Sequence, residues 1–431
     1  MDVLSAARRV IAEDPVCDAC LGRQFADRSF GLTNTDRGHA LRVAVALEDD
    51  EDFEESDEEC WVCEGLIDEF DAYAEQVAEA LAEVGFETYQ VGTRAPPLVE
   101  ENEVLLRELA DLPEDTGELF KSEFNREVGK RVGRLTDTEV DFDRPDVLAL
   151  LNLERGDVDV QVNPAFVFGR YRKLERDIPQ TKWPCRECGG SGKQLAEGGG
   201  EESCDYCGGS GFLYDESVEQ LTTPPVLEAM DGEEAIFHGA GREDVDALML
   251  GTGRPFAIEV KKPRRRRPDT DELEAEINEF ADGKAEVDSL TLATHDMVER
   301  VKGLDASKTY RAQVEFDEAV AEKDLAAAIE ELDGATIDQF TPNRVDHRRA
   351  NLTRVREVYS IEGHMDDERH GEVEIHGEGG LYIKELVSGD EGRTEPSLAG
   401  LLGVGAEVTA LDVVAVEGED EIFGHDDSLK E

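Results

Sequence analysis

Gly239-Ala-Gly-Arg-Glu-Asp-Val-Asp-Ala-Leu-Met-Leu-Gly-Thr-Gly-Arg-Pro-Phe-Ala-Ile-Glu-Val260 is the stretch on which the reading of this chain turns. Glycines 239 and 241 allow a tight backbone turn that presents Asp244 at the edge of a sheet. Leu248 to Val260 is predicted to form a hairpin reversing at Gly251-Thr-Gly253. Alone, an acidic turn before a hairpin is more often solvated than chemical. Later segments change its standing. Lys308-Thr-Tyr-Arg-Ala-Gln-Val314 alternates like a strand and carries Tyr310. Gly380-Leu-Tyr-Ile-Lys-Glu-Leu386 reads as another strand with Tyr382, Ile383 and Lys384, and 405–411 reads as a short apolar strand ending at Leu411. Each segment alone reads most simply as an ordinary strand with a core aromatic, and it is their order and kind that matter.

All eight cysteines fall into Cys-x-x-Cys pairs: Cys17/Cys20, Cys60/Cys63, Cys185/Cys188 and Cys204/Cys207. Paired in this way they suit two four-thiolate metal sites in a reducing compartment better than a secreted disulfide framework. Structural zinc is expected at the first quartet, with the second quartet a further candidate. Both members of the second set read Cys-x-x-Cys-x-Gly-x-Gly, a repeat similar to that of DnaJ-type zinc fingers. Neither quartet includes the His or open position of a catalytic metal.

Acidic residues number 103 against 45 basic, a formal net charge of −58. A field of that sign repels nucleic acid unless it is screened. The acid runs along the whole chain, which fits a salt-rich cytoplasm, where screening shortens to about 3 Å at 1 M. Global charge then reports habitat, and local charge must report the partner. Three basic islands stand out: Lys121 to Arg134, Arg170 to Arg176, and Lys261 to Arg267. In the first, Arg126, Lys130 and Arg134 recur every four residues, so a helix would align them toward phosphates.

A chain of 431 residues is expected to hold two or three domains. It contains no apolar run of about 18 residues and its N-terminus lacks a signal-peptide pattern, so a cytoplasmic protein away from membranes is expected. Helices are predicted at 72–84 and 122–135, and strands at 86–91 and 158–162. The acidic insert at 49–59 and the tract 196–202 read as loops. The organisation expected is a zinc-binding segment at 1–70, an RNA-binding domain at 71–182, the second cysteine segment at 183–216, a catalytic domain at 217–415, and an acidic tail at 416–431.

Taken together, these motifs resemble those of the pseudouridine synthases, in which the catalytic Asp follows a Gly-Arg-x pattern, here Gly241-Arg-Glu-Asp244. Lys308-Thr-Tyr310 is similar to their second motif and Gly380-Leu-Tyr-Ile-Lys384 to their third. The likeness is closest to the Pus-ten family of archaea and eukaryotes. It extends to Gly169-Arg-Tyr-Arg-Lys173, Ile178-Pro-Gln-Thr-Lys-Trp183, and Tyr382-Ile-Lys-Glu-Leu-Val with Gly392-Arg-Thr394. The resemblance implies an α+β chain in which an N-terminal zinc-bearing, THUMP-like RNA-binding region precedes a mixed α/β catalytic domain. It also implies tRNA as the partner, with uridine 54, uridine 55 or both in the TΨC arm as substrate. Asp244 would be the nucleophile, and only the Gly-Arg-x-Asp spacing separates it from Asp246. Lys384 would offset the desolvation of that carboxylate. Tyr310 would stack on the flipped base or take part in proton transfer, Ile383 and Leu411 would shield the intermediate from water, and Arg242 would contact substrate. No catalytic cofactor, no small-molecule cosubstrate and a monomer are expected.

Two other classes compete. A noncatalytic zinc-dependent RNA-binding or chaperone-like module would explain the Gly-rich cysteine repeats, but only two repeats occur and no His-Pro-Asp motif accompanies them. Another THUMP-bearing tRNA-modifying enzyme, such as a methyltransferase or thiolation enzyme, would need a nucleotide-binding glycine motif, and none is present.

Overall fold

Val147, Ala149 and Leu151 alternate with less buried residues, and their strand joins Tyr89 and Val91 in a four-stranded sheet. The computed structural model describes residues 2–53, 58–113, 115–196, 199–304, 306–345, 350–417 and 429. It divides into two units, 1–163 with 263–266, and 164–262 with 267–431. The expected acidic tail and the centre of the 49–59 insert lie largely outside the described residues.

In the first unit the sheet runs Glu139–Val140, Thr88–Arg94, Val147–Asn152, Asp157–Val162. Helices Phe70–Leu81 and Phe120–Thr136 pack on one another beside it. Phe120, Phe124, Val128 and Val132 fall every four residues and are all buried, which leaves Arg126, Lys130 and Arg134 to the opposite side of that helix. The cysteine-bearing N-terminal segment shares this core: Cys20, Cys60 and Cys63 are buried in one apolar cluster with Val77, Leu106 and Phe124.

A ten-stranded sheet organises the second unit. Its order is Ala285–Ala293, Ala165–Lys173, Leu248–Lys261, Ala406–Glu417, Ser307–Phe316, His370–Gly377, Thr353–Met365, Thr336–Phe340 and Thr394–Glu395, with Glu234–Gly239 also paired to Leu248–Lys261. Ala165–Lys173, placed by sequence with the RNA-binding region, is therefore a strand of this sheet.

Two local expectations are corrected. Leu248–Lys261 is one continuous strand and not a hairpin. Gly251 and Gly253 have φ of 55° and 71°, and they bend the strand without reversing it. The bend lets Leu248 and Met249 pair in parallel with Asp412 and Val413. A Cβ on Gly251 would lie 1.8 Å from the Val414 carbonyl oxygen, so only glycine fits there. The actual reversal precedes the strand: Glu234–Gly239 pairs antiparallel with 256–261, and the intervening loop carries Asp244. The stretch 380–386, predicted as strand, enters a short helix at Ile383–Ser388, so Lys384 stands in a helical first turn. Among the described residues no helix is long and apolar enough to cross a membrane.

Candidate active site and cysteine clusters

The loop from 240 to 247 is held from below by buried polar groups. Glu243 turns inward, its side chain fully buried, and lies 3.0 Å from Arg254, itself buried. Tyr171 donates to Glu243 at 2.9 Å. Gln180 donates to the Tyr171 hydroxyl at 2.7 Å and to the Gly241 carbonyl at 2.8 Å. Lys173, fully buried, donates to the carbonyls of Ile178, Asp244 and Val245 at 2.9, 3.2 and 2.9 Å. Burial pulls the Lys173 pKa down, with Glu243 and Asp246 acting the other way. These contacts account for Tyr171, Lys173 and Gln180 of the motifs at 169–173 and 178–183: they fix the backbone on which Asp244 sits.

With Glu243 anchored inside, Asp244 lines a cavity of about 900 Å³. Tyr310, Ile383, Lys384, Leu411 and Arg242 line the same cavity, so all six residues proposed for the active centre from sequence come together. Burial raises the pKa of the Tyr310 phenol and keeps it protonated at neutral pH. Ile383 and Leu411 are buried, and Arg242 is exposed. Lys384 Nζ lies 3.6 Å from Asp244 Oδ2 but 2.9 Å from Asp246 Oδ2. Burial works against the Asp246 charge, yet the Lys384 contact prevails and its carboxyl sits below the usual range.

Arg344 was not singled out from the sequence. Its Nη1 is 3.2 Å from Asp244 Oδ2, closer than Lys384. Nothing in Asn343-Arg-Val345 marks it beforehand, because its partner lies 100 positions away.

The basic islands are largely committed to internal partners. Arg170 donates to the Thr252, Gly253 and Val416 carbonyls, Arg172 pairs with Glu286 and Asp288, and Arg176 pairs with Asp412. Lys261 and Lys262 pair with Glu234 and Glu233, while Arg266 forms a buried pair with Asp146 at 3.0 Å. The last two islands therefore read as structural. In the first, Arg126 pairs with Glu118 and Glu127, and Lys130 with Glu127, whereas Arg134 is exposed. Arg126 and Lys130 border a groove of about 690 Å³ that also holds the exposed ring of Phe30.

Each cysteine quartet forms one cluster with its sulfurs within 4.8 Å of one another, and each cluster can hold a metal ion. Cys17–Cys63 and Cys188–Cys207 Sγ separations are 3.8 Å, and Cys185–Cys204 is 4.0 Å. Zinc with Zn–S near 2.3 Å sets tetrahedral sulfurs about 3.8 Å apart, so the spacing fits. The repeated Cys-x-x-Cys-Gly-Gly-Ser-Gly has a physical basis. Gly192 and Gly211 donate to Cys188 and Cys207 sulfur at 3.3 and 3.2 Å. A Cβ on Gly192 would meet the Gly209 carbonyl at 2.4 Å.

The family model for the Pus10 C-terminal region matches residues 166–417, and the archaeal Pus10 THUMP-domain model matches 73–152. A Halorubrum lacusprofundi protein named tRNA pseudouridine synthase Pus10 is 67% identical, covering 100% of both chains. This chain belongs to the Pus10 family. A Pus10 protein of Methanothrix thermoacetophila is 41% identical over 97% of this chain and 95% of its own. The Pus10 protein of Pyrococcus furiosus is 38% identical over 96% and 98%. The expected α+β order, a THUMP region followed by a pseudouridine-synthase domain, holds.

Proposed function

We propose that this Pus10-family chain isomerises uridine 54, uridine 55 or both in the TΨC arm of tRNA, with Asp244 as nucleophile. The observation that carries the reading is the Asp244 carboxylate lining a cavity beside the Tyr310 phenol, two cations and the apolar Ile383 and Leu411. The base must leave its stack to reach such a recess. The N1–C1′ bond breaks and a C5–C1′ bond forms; C5 loses a proton and N1 gains one. No electrons are exchanged with another molecule, so the residues suffice without an added reactant. Asp244 attacks the ribose or relieves its charge, Tyr310 stacks on the detached uracil, and Ile383 with Leu411 keeps water from the intermediate. The test is incubation with unmodified tRNA transcript tritiated at uracil C5, without any small molecule. Release of label is expected; its absence with folded, tRNA-binding protein would remove the reading.

Both cysteine quartets are assigned structural zinc, for which Cys17, Cys20, Cys60 and Cys63, and Cys185, Cys188, Cys204 and Cys207, supply the thiolates. Elemental analysis of protein purified without chelator is expected to give two zinc ions per chain. A value of one would leave the second quartet as the empty one.

Arg126, Lys130 and Arg134 are assigned to tRNA phosphates, for which Arg126 and Lys130 must exchange Glu118 and Glu127. Their joint neutralisation is expected to weaken tRNA binding and flatten the slope of log K against log salt by up to about 2–3. Unchanged affinity and slope across a salt titration would show that the helix keeps its own ion pairs.

A further inference from the structure

A carboxylate has two oxygens, and those of Asp244 are treated differently. Oδ2 has Arg344 Nη1 at 3.2 Å and Lys384 Nζ at 3.6 Å. Oδ1 accepts no hydrogen bond among the described residues. Of the two cations, Lys384 is shared and lies nearer Asp246, at 2.9 Å. Arg344 is constrained by Glu385. Its Nε is 2.6 Å from Glu385 Oε1 and its Nη2 is 3.4 Å from Oε2. Two contacts from one carboxylate fix the plane of a guanidinium and leave its third nitrogen pointing in one direction. Here that direction is Asp244.

Glu385 is 6% exposed, a costly place for a carboxylate without a counter-charge. Burial also opposes the charge on Arg344, but the hydrogen bond and charge of Glu385, with Asp244 behind them, outweigh it and raise the Arg344 pKa. Glu385 follows Lys384 directly in the short helix Ile383–Ser388, so one helical turn supplies both the ammonium and the guanidinium's support.

We propose that Arg344, gripped by Glu385, is the positioning residue of the Asp244 carboxylate: it holds Oδ2, and Oδ1 is thereby the oxygen presented to the ribose. The proposal rests on Asp244 being the nucleophile. It assigns Arg344 no contact with reacting atoms; its effect passes through the orientation of Asp244.

The experiment is single-turnover tritium release from C5-labelled transcript at saturating enzyme, with tRNA affinity measured in parallel on the full-length protein. Arg344→Ala is expected to slow the saturated rate about 100-fold, and Glu385→Gln about tenfold, the scale of a misplaced reacting group, with Kd unchanged. Millimolar guanidinium should restore part of the Arg344→Ala rate, while equal sodium chloride should not. Arg344→Lys should stay slow, since an ammonium cannot be gripped at two points. A wild-type rate in Arg344→Ala would overturn the proposal. So would a loss confined to tRNA affinity, which would make Arg344 an RNA contact, or a loss that guanidinium leaves untouched. Should Arg344→Ala fold poorly, Glu385→Gln decides the matter by the same two measurements. Turnover by Asp244→Asn would mean that the nucleophile reading itself had failed. An inert Asp244→Asn beside a fully active Arg344→Ala would sink the positioning proposal alone.

Discussion

Asp244→Asn is expected to lower C5 tritium release on the order of 10⁴–10⁶-fold, the scale of losing a nucleophile, with tRNA binding nearly intact. The amide keeps the size of the carboxylate and much of its hydrogen bonding, but not the charge or the nucleophilic oxygen. Affinity is expected to survive because phosphate contacts away from the cavity dominate tRNA binding of this kind. Asp246→Asn is expected to retain activity. The comparison is informative because Lys384 stands nearer Asp246 than Asp244, so proximity to a lysine does not by itself distinguish the two. What distinguishes them is the second cation: Arg344 reaches Asp244 and is fixed by a buried glutamate. An inert Asp246→Asn beside an active Asp244→Asn would move the nucleophile by two positions. Activity in both would remove the synthase reading.

The segments that line the cavity were legible because chemistry and periodicity coincide there. Tyr310 and Leu411 lie on strands whose alternation is visible in the residues, and the helix Phe120–Thr136 announces itself through Phe120, Phe124, Val128 and Val132. The supposed hairpin at Gly251-Thr-Gly253 shows where such reading stops. Two glycines between apolar residues look the same whether the chain reverses or only bends, and the choice was made by a parallel neighbour at 412–413, distant in sequence. The helix Ile383–Ser388 is hidden within the strand-like stretch 380–386 for a related reason: six residues are too few for the helical period to show against a strand. Charge was the least legible feature. In a chain with 103 acidic residues almost any arginine can find a carboxylate, so islands at 170–176 and 261–267 that look poised for phosphate are bound to partners as far as 246 positions away. Arg344 escaped notice by the same logic, being significant only through Asp244 and Glu385.

Arg23→Met is expected to destabilise the first unit by about 3–5 kcal/mol, the usual cost of removing one partner from a buried ion cluster. Arg23 is fully buried, with Nε 3.1 Å from Glu103 and Nη1 3.0 Å from Glu123, and its Nη2 donates to Cys20 sulfur at 3.3 Å. It therefore joins the first cysteine quartet to helices Pro97–Leu109 and Phe120–Thr136 through one planar group. Methionine fills most of the volume but leaves buried Glu123 without a counter-charge, whereas Glu103 keeps Arg107 at 3.3 Å. Burial already lifts the Glu123 carboxyl above its ordinary range, with Arg23 opposing the shift. Without Arg23 that lift must grow. A carboxyl with a raised pKa in the folded state binds its proton more readily folded than unfolded, so folding gains as pH falls and loses as pH rises through the folded pKa. The deficit of Arg23→Met against wild type should thus be largest near neutral pH and shrink on acidification toward the unfolded glutamate value, about 4.3. Denaturant melts of both proteins at a fixed high salt concentration, run from neutral pH down to pH 5, provide the measurement. A deficit that stays constant or grows on acidification would mean that the loss comes from packing, and that the carboxylates had found other partners.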